Sequence, residues 1–193
     1  MSKSNSPTKQ QAKLSAQEWI EAAFRALSMG GPQAIKAEAI ARDLGVSKGS
    51  FYWHFTNVAD LKTKMLTHWY EAATQEIIAQ VNQVQGSPAD RLSKLVDIAT
   101  GNKSEPYGGV SVEAAIRDWG KFSDEAGEMV KRVDTQRLNY LTEQLMAAGF
   151  DEKSARASAE ILYAGLIGLE ILAIEDLADL RTGMHQLLQK ILS

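Results

Sequence analysis

The chain has 193 residues, 45% hydrophobic and 23% charged, with a formal net charge of −3, proportions of an ordinary globular protein of one large domain or two small ones. It contains no cysteine, which excludes disulfides, thiolate metal sites and cysteine nucleophiles and fits a reducing cytosol. The polar N-terminus MSKSNSPTKQQAK lacks the apolar core of a secretory signal. The longest apolar run, over 161–174, is broken by Glu170 and falls short of the roughly 18 uninterrupted apolar residues of a membrane span, so a cytoplasmic protein with no membrane partner is expected.

Charge is unevenly spread. Residues 1–64 hold nine Lys/Arg against five Asp/Glu, a net of +4, and the remainder holds twelve against nineteen, a net of −7. A basic front joined to an acidic back suggests two tasks, only one of them near phosphate.

Residues 1–13 carry three lysines and no acid and read as a flexible basic arm. Ser15 and Glu18 have the spacing of a capping box, so a first helix starts near Ala16. It ends before Gly30-Gly31-Pro32, with Ile20, Ala23, Phe24 and Leu27 as its apolar stripe. A second helix is predicted from Lys36 to Leu44, stopped by Gly45. Ser47 is placed to cap a short third helix, Lys48 to about Phe55. Thr56 or Asn57 caps a fourth that runs to about Gln85, with Leu61, Met65, Trp69, Ala73, Ile77 and Val81 at steps of four. Ser87-Pro88 opens a fifth helix. GNKSEPYGG reads as a loop, and a sixth helix spans about Val110 to Trp119. Ser123 starts a long seventh, closed by Gly149. Asp151 caps an eighth that reaches about Leu177, and a ninth covers the last dozen residues. No strand periodicity competes with this all-α pattern.

The stretch LGVSKGSFYWHF, residues 44–55, crowds five aromatic or imidazole rings together where aromatics make up only 7% of the chain. The second helix, the turn at Gly45 and the short third helix form a helix-turn-helix, a motif whose second helix enters the DNA major groove. Lys48 supplies charge at its entry. Gly49 and Ser50 are small enough for a sugar-phosphate backbone to approach, and the free N–H groups of the first turn can donate to phosphate. Phe51 and Phe55, four apart, should anchor this short helix from behind on Ile40, Leu44 and Val46. Tyr52 and His54 point elsewhere, with groups suited to phosphate or a thymine methyl. Trp53 leans either on DNA or on the first helix.

Residues 40–66, IARDLGVSKGSFYWHFTNVADLKTKML, resemble the DNA-binding signature of the TetR family of transcriptional regulators, in the IA-x-x-x-GVS turn, the KGSFYWHF helix and the following DL. The resemblance implies an N-terminal three-helix helix-turn-helix unit and a larger C-terminal helical part, about nine helices in all. It divides the chain into a basic arm (1–13), a DNA-binding head (14–56) and an effector-binding and dimerisation part (57–193). By that resemblance Lys48, Gly49, Ser50, Tyr52 and His54 fall on its DNA-facing positions, Ser47 on its helix cap, and Lys36 at the start of the second helix, where the family often has a threonine touching phosphate. Val58 stands where many members place a phosphate-binding lysine, and Lys62 or Lys64 is the expected substitute. The implied function is a sequence-specific regulator, a repressor released from a palindromic operator by a small molecule.

The eighth helix is apolar nearly all round, so more than one side must be covered. A second copy is the expected cover, through Ala164, Gly165, Gly168 and Leu172, giving a homodimer. The helices from the fourth to the eighth should enclose an apolar cavity walled by Met65, Trp69, Trp119, Leu141 and Tyr163, where a hydrophobic or aromatic effector would bind. No cofactor and no metal is expected: the three histidines, His54, His68 and His185, lie far apart in sequence without metal-ligand spacing. An enzyme lacks a candidate nucleophile or phosphate loop, and a protein-binding adaptor would leave the basic front unexplained.

Overall fold

The computed structural model describes residues 14–101 and 111–193. The arm at 1–13, most of the GNKSEPYGG loop and Val110 lie outside the described residues. All described secondary structure is helical. The α-helices are α1 (Ala16–Gly30), α2 (Ala37–Asp43), α3 (Val58–Tyr70), α4 (Glu76–Asn82), α5 (Pro88–Ala99), α6 (Ser111–Gly120), α7 (Asp124–Ala147), α8 (Glu152–Ile174) and α9 (Leu180–Leu192).

The starts of these helices follow local chemistry. The Ser15 hydroxyl accepts from the Glu18 amide while Glu18 accepts from the Ser15 amide, a reciprocal capping box. Asn57 accepts from the Asp60 amide and settles the start of α3. Ser87, Ser123, Asp151 and Asp179 cap α5, α7, α8 and α9 in the same way.

Two expectations change in detail. The segment Lys48–Trp53 is a 3-10 helix, not an α-helix. Six residues cannot sustain an α-helix alone, and the tighter coil brings Phe51 and Phe55 into the core while the chain turns into α3. The expected long fourth helix is also interrupted. It runs as α3, then a π turn at Glu71–Gln75, then α4, and the Glu76 amide reaches the Glu71 carbonyl, five residues back. Nine α-helices are therefore described, but by a different division of the chain from the one the periodicity suggested.

Two apolar clusters form. The first joins Trp19, Phe24 and Leu27 of α1, Ile40 of α2, Phe51, Phe55, Leu61, Met65 and Trp69 to Ile116 and Trp119 of α6 and Val133 of α7. The second joins Leu92 and Val96 of α5, Leu145 of α7, Ala159 and Leu162 of α8, and Met184 and Leu188 of α9. By length and composition alone α8 could cross a membrane, with a mean hydropathy of 1.7 over its best 18-residue window despite Glu170. It packs instead against α7 and α9, and its Tyr163 hydroxyl enters an ionic cluster with α6 and α7.

Candidate nucleic-acid interface and effector cavity

The surface around residues 44–55 is built from the inside out. Gly45 takes φ +68 between α2 and the 3-10 segment, a left-handed turn that favours glycine. The Val46 amide then returns to the Ala41 carbonyl at 2.9 Å. Phe51 and Phe55 are fully buried, their ring centroids 5.2 Å apart, and Ile40, Leu44 and Val46 join them as expected. Trp19 supplies a wall the periodicity did not identify, edge-on to Phe51 at 5.4 Å. With both phenyl rings turned inward, Tyr52 is 56% and Trp53 68% exposed. Trp53 thus stands on the outer surface and not in the buried packing against α1.

The other expected contact residues divide. Lys36 is exposed at the start of α2, in extended backbone and without a capping bond. Ser47 is exposed and occupies the cap position of the 3-10 segment, but its hydroxyl makes no capping bond; its carbonyl accepts from the Ser50 amide instead. Gly49 lies open, with only the Ser47 hydroxyl near the place of a Cβ. Ser50 turns inward and its hydroxyl is buried without a hydrogen-bond partner. Small size seats this side chain under the segment, which differs from the expected outward position. His54 is half-buried, and its carbonyl accepts from the Lys64 ammonium at 3.2 Å.

Lys48 forms an ion pair with Glu38 of α2. The bond to Glu38 holds the lysine pKa above its ordinary value and the carboxylate pKa below its own. The partners are ten residues apart, too far for helical periodicity to link. The alternatives to a lysine at Val58 also separate. Lys62 rests over the Trp119 ring, 5.6 Å from its centroid, so it leans toward α6 and not onto the surface around residues 44–55. Lys64 stays with the head, bonded to Asp60 at 3.2 Å and lying 5.0 Å over Phe55.

In the body, an apolar cavity of about 100 Å³ lies among α4, α5, α7, α8, α9 and the π turn. Leu141 and Tyr163 line it, as expected. Met65, Trp69 and Trp119 do not: they are buried in the first apolar cluster, where they join the head to α6 and α7. A step of four along α3 marks Met65 and Trp69 as buried but cannot say which neighbour buries them. The cavity walls are instead residues such as Ile77, Leu92, Val96, Leu162, Leu166 and Met184.

One edge of the cavity carries polar groups. Arg137 donates to both oxygens of buried Glu113, at 2.7 and 3.2 Å, to Tyr163 Oη at 3.2 Å, to the Ala73 carbonyl at 3.0 Å and to Thr74 Oγ1 at 3.2 Å. Arg117 meets Asp134 through two nitrogens, at 3.0 and 2.7 Å, and also reaches Glu113 and Tyr163. Burial works against both guanidinium charges. The neighbouring carboxylates and Tyr163 more than offset it and hold both pKa values above the ordinary arginine value. Burial pushes the Tyr163 phenol up as well. Sequence reasoning missed this cluster because its bonded partners lie up to 64 residues apart.

Of the four residues expected between subunits, Ala164, Gly168 and Leu172 are exposed. Ile161 and Ile171 are exposed beside them, at 56% and 54%. Gly165 turns the other way: a Cβ there would meet Leu187 of α9 at 2.6 Å. Its smallness serves the close approach of α8 and α9 within the chain.

Residues 20–61 match the family model described as bacterial regulatory proteins, tetR family. The HTH-type transcriptional regulator TtgR of Pseudomonas putida is 32% identical over 89 residues, 46% of this chain and 42% of that protein. The match therefore spans less than half the length of that curated relative. The fold is also that of a TetR transcriptional regulator from Legionella pneumophila, at a TM-score of 0.75 and 15% identity over 94% of this chain and 97% of that one. FadR from Bacillus subtilis, solved in complex with stearoyl-CoA, matches at a TM-score of 0.68 and 16% identity over 93% and 98%.

Proposed function

We propose that the chain, whose residues 20–61 match the tetR family of bacterial regulatory proteins, is a member of that family and a cytoplasmic, sequence-specific DNA-binding regulator that represses transcription. The observation that carries this reading is the 3-10 segment. It is pinned from behind by Phe51 and Phe55 and presents Lys48, Gly49, Tyr52 and Trp53 outward. Seated in a major groove, Tyr52 and Trp53 would meet bases or sugars, Lys48 and Lys36 would meet phosphates, and the division into a head (14–56) and a body (57–193) would follow the two tasks. Selection of bound sites from random duplexes tests it. A palindromic consensus supports the reading, and recovery of no enriched sequence refutes it.

The exposed stripe Ile161, Ala164, Gly168, Ile171 and Leu172 is the proposed homodimer contact, since a continuous apolar stripe on a helix of this length marks an association surface. The cavity is the proposed effector site. Its lining, mostly aliphatic with tyrosines, suits a hydrophobic or aromatic compound, and such binding would release the operator. Light scattering and a thermal-shift panel of apolar compounds test these two parts.

A further inference from the structure

The π turn at Glu71–Gln75 joins the two halves of the molecule. On one side, α3 sinks Leu61, Met65 and Leu66 into the cluster that holds Phe51 and Phe55. On the other, α4 supplies Ile77 and Ile78 to the cavity wall. The turn itself contributes Ala73 and Thr74 to that wall, and Thr74 is buried. Arg137 grips it by both: Nη2 donates to the Ala73 carbonyl at 3.0 Å and Nε to Thr74 Oγ1 at 3.2 Å.

We propose that Arg137 and this π turn form a register latch, which passes occupancy of the cavity to the recognition segment by releasing the turn. The inference rests on the reading of the cavity as an effector site and of the head as a DNA binder. A π turn holds one residue more than an α turn. Moving or absorbing it swings the helix on one side relative to the other by up to about 100° and 1.5 Å, so a fraction of that motion is a large displacement. α3 would carry such a motion directly, because Lys64 ties it to the His54 carbonyl at the end of the recognition segment.

The cavity makes release the natural response to filling. At about 100 Å³ it is well below the roughly 300–1,000 Å³ of ordinary small-molecule sites, so a larger occupant either projects through the open side of the cavity or displaces a wall. The walls on α5, α8 and α9 belong to a close-packed apolar cluster. The wall at Ala73 and Thr74 is held by two hydrogen bonds from a side chain whose charge is satisfied elsewhere. Arg137 keeps both oxygens of Glu113 when it lets the turn go, so opening strands no buried charge.

The test fills the cavity from within, on the full-length chain. Ala99→Phe, with Thr100→Leu as a second filler on the same wall, is compared with the parent by amide hydrogen exchange and by gel shift on a duplex taken from site selection. Filling is expected to speed exchange of the 71–76 amides about tenfold and to weaken duplex binding about tenfold. Deleting Ala72 removes the additional residue and makes the rod wholly α; in that background filling should leave affinity within about twofold. Unchanged exchange in every folded filler overturns the latch, and so does an equal loss of binding with Ala72 deleted. A deleted chain that fails to fold also overturns it, because a removable residue is what a π turn supplies. A parent that binds no duplex refutes the DNA reading alone, and the exchange comparison still decides the latch.

Discussion

The indole of Trp19 stands edge-on to the ring of Phe51, with centroids 5.4 Å apart and planes at 71°. Edge-to-face pairs of this kind add to simple burial, and here the pair couples α1 to the recognition segment. Both residues are fully buried, so Phe51→Ala should cost about 3–5 kcal/mol. The expected result is a lower melting temperature accompanied by loss of DNA binding. Thermal denaturation monitored by circular dichroism and a gel shift on one preparation check it.

Tyr52 and Trp53 project outward from the same segment. Alanine at either position should leave the folding stability within about 0.5 kcal/mol of the parent, as for most exposed side chains, while weakening binding of the selected duplex by roughly 1–3 kcal/mol. A preserved affinity in both variants would place the recognition surface elsewhere.

Lys48 is paired with Glu38 in the free protein, so a phosphate must compete with that carboxylate. Glu38→Gln removes the competitor and one negative charge from the surface, and duplex affinity should rise. Lys48→Ala should lower affinity and reduce the slope of log K against log salt by about one. Titrations at several salt concentrations resolve both effects.

Gly165 and Gly168 make opposite predictions from adjacent turns of α8. A Cβ at Gly165 would press on Leu187, whereas one at Gly168 meets nothing within 4 Å among the described residues. Gly165→Ala should therefore destabilise the fold by about 1–3 kcal/mol through overpacking. Gly168→Glu should spare the fold and yield monomers in light scattering. A normal dimer from Gly168→Glu would move the subunit contact off this stripe.

Asp97 of α5 accepts from His185 at 3.1 Å and from Arg181 at 2.5 Å, both on α9. The bond to His185 and then the arginine hold its carboxyl below the ordinary aspartate value of 3.8. The sign follows from linkage: the folded state favours the carboxylate, so this stabilisation is complete above about pH 4 and is lost as pH falls through the lowered value. Asp97→Asn should lower the melting temperature at pH 7 and flatten the acid limb of stability against pH below about 4. Melting curves across that range check it.

Much of the head was legible because its determinants are local. Ser15 and Glu18 sit three apart, Gly45 marks a left-handed turn, and Phe51 and Phe55 share one side of a short coil. Periodicity gave the existence of the later helices for the same reason. What it could not give was the partner of each buried face. Met65, Trp69 and Trp119 are as buried as cavity walls would be, yet they join the head to α6 and α7. The Arg117–Asp134 and Arg137–Glu113 pairs needed three-dimensional proximity across 17 and 24 residues. The π turn was illegible because Glu71–Gln75 is ordinary helix-forming sequence; its extra residue is required only by packing on either side.

The first apolar cluster runs without a break from Trp19 through Phe51 and Met65 to Ile116, Trp119 and Val133. A chimera that grafts the segment ahead of α3 onto another helical protein by cutting at Asn57 would leave Ile116 and Trp119 against foreign side chains. Transplanting that segment in its native form therefore means moving a patch of α6 and α7 with it. By the same coupling, melting of the tip and of the trunk should be one event and not two.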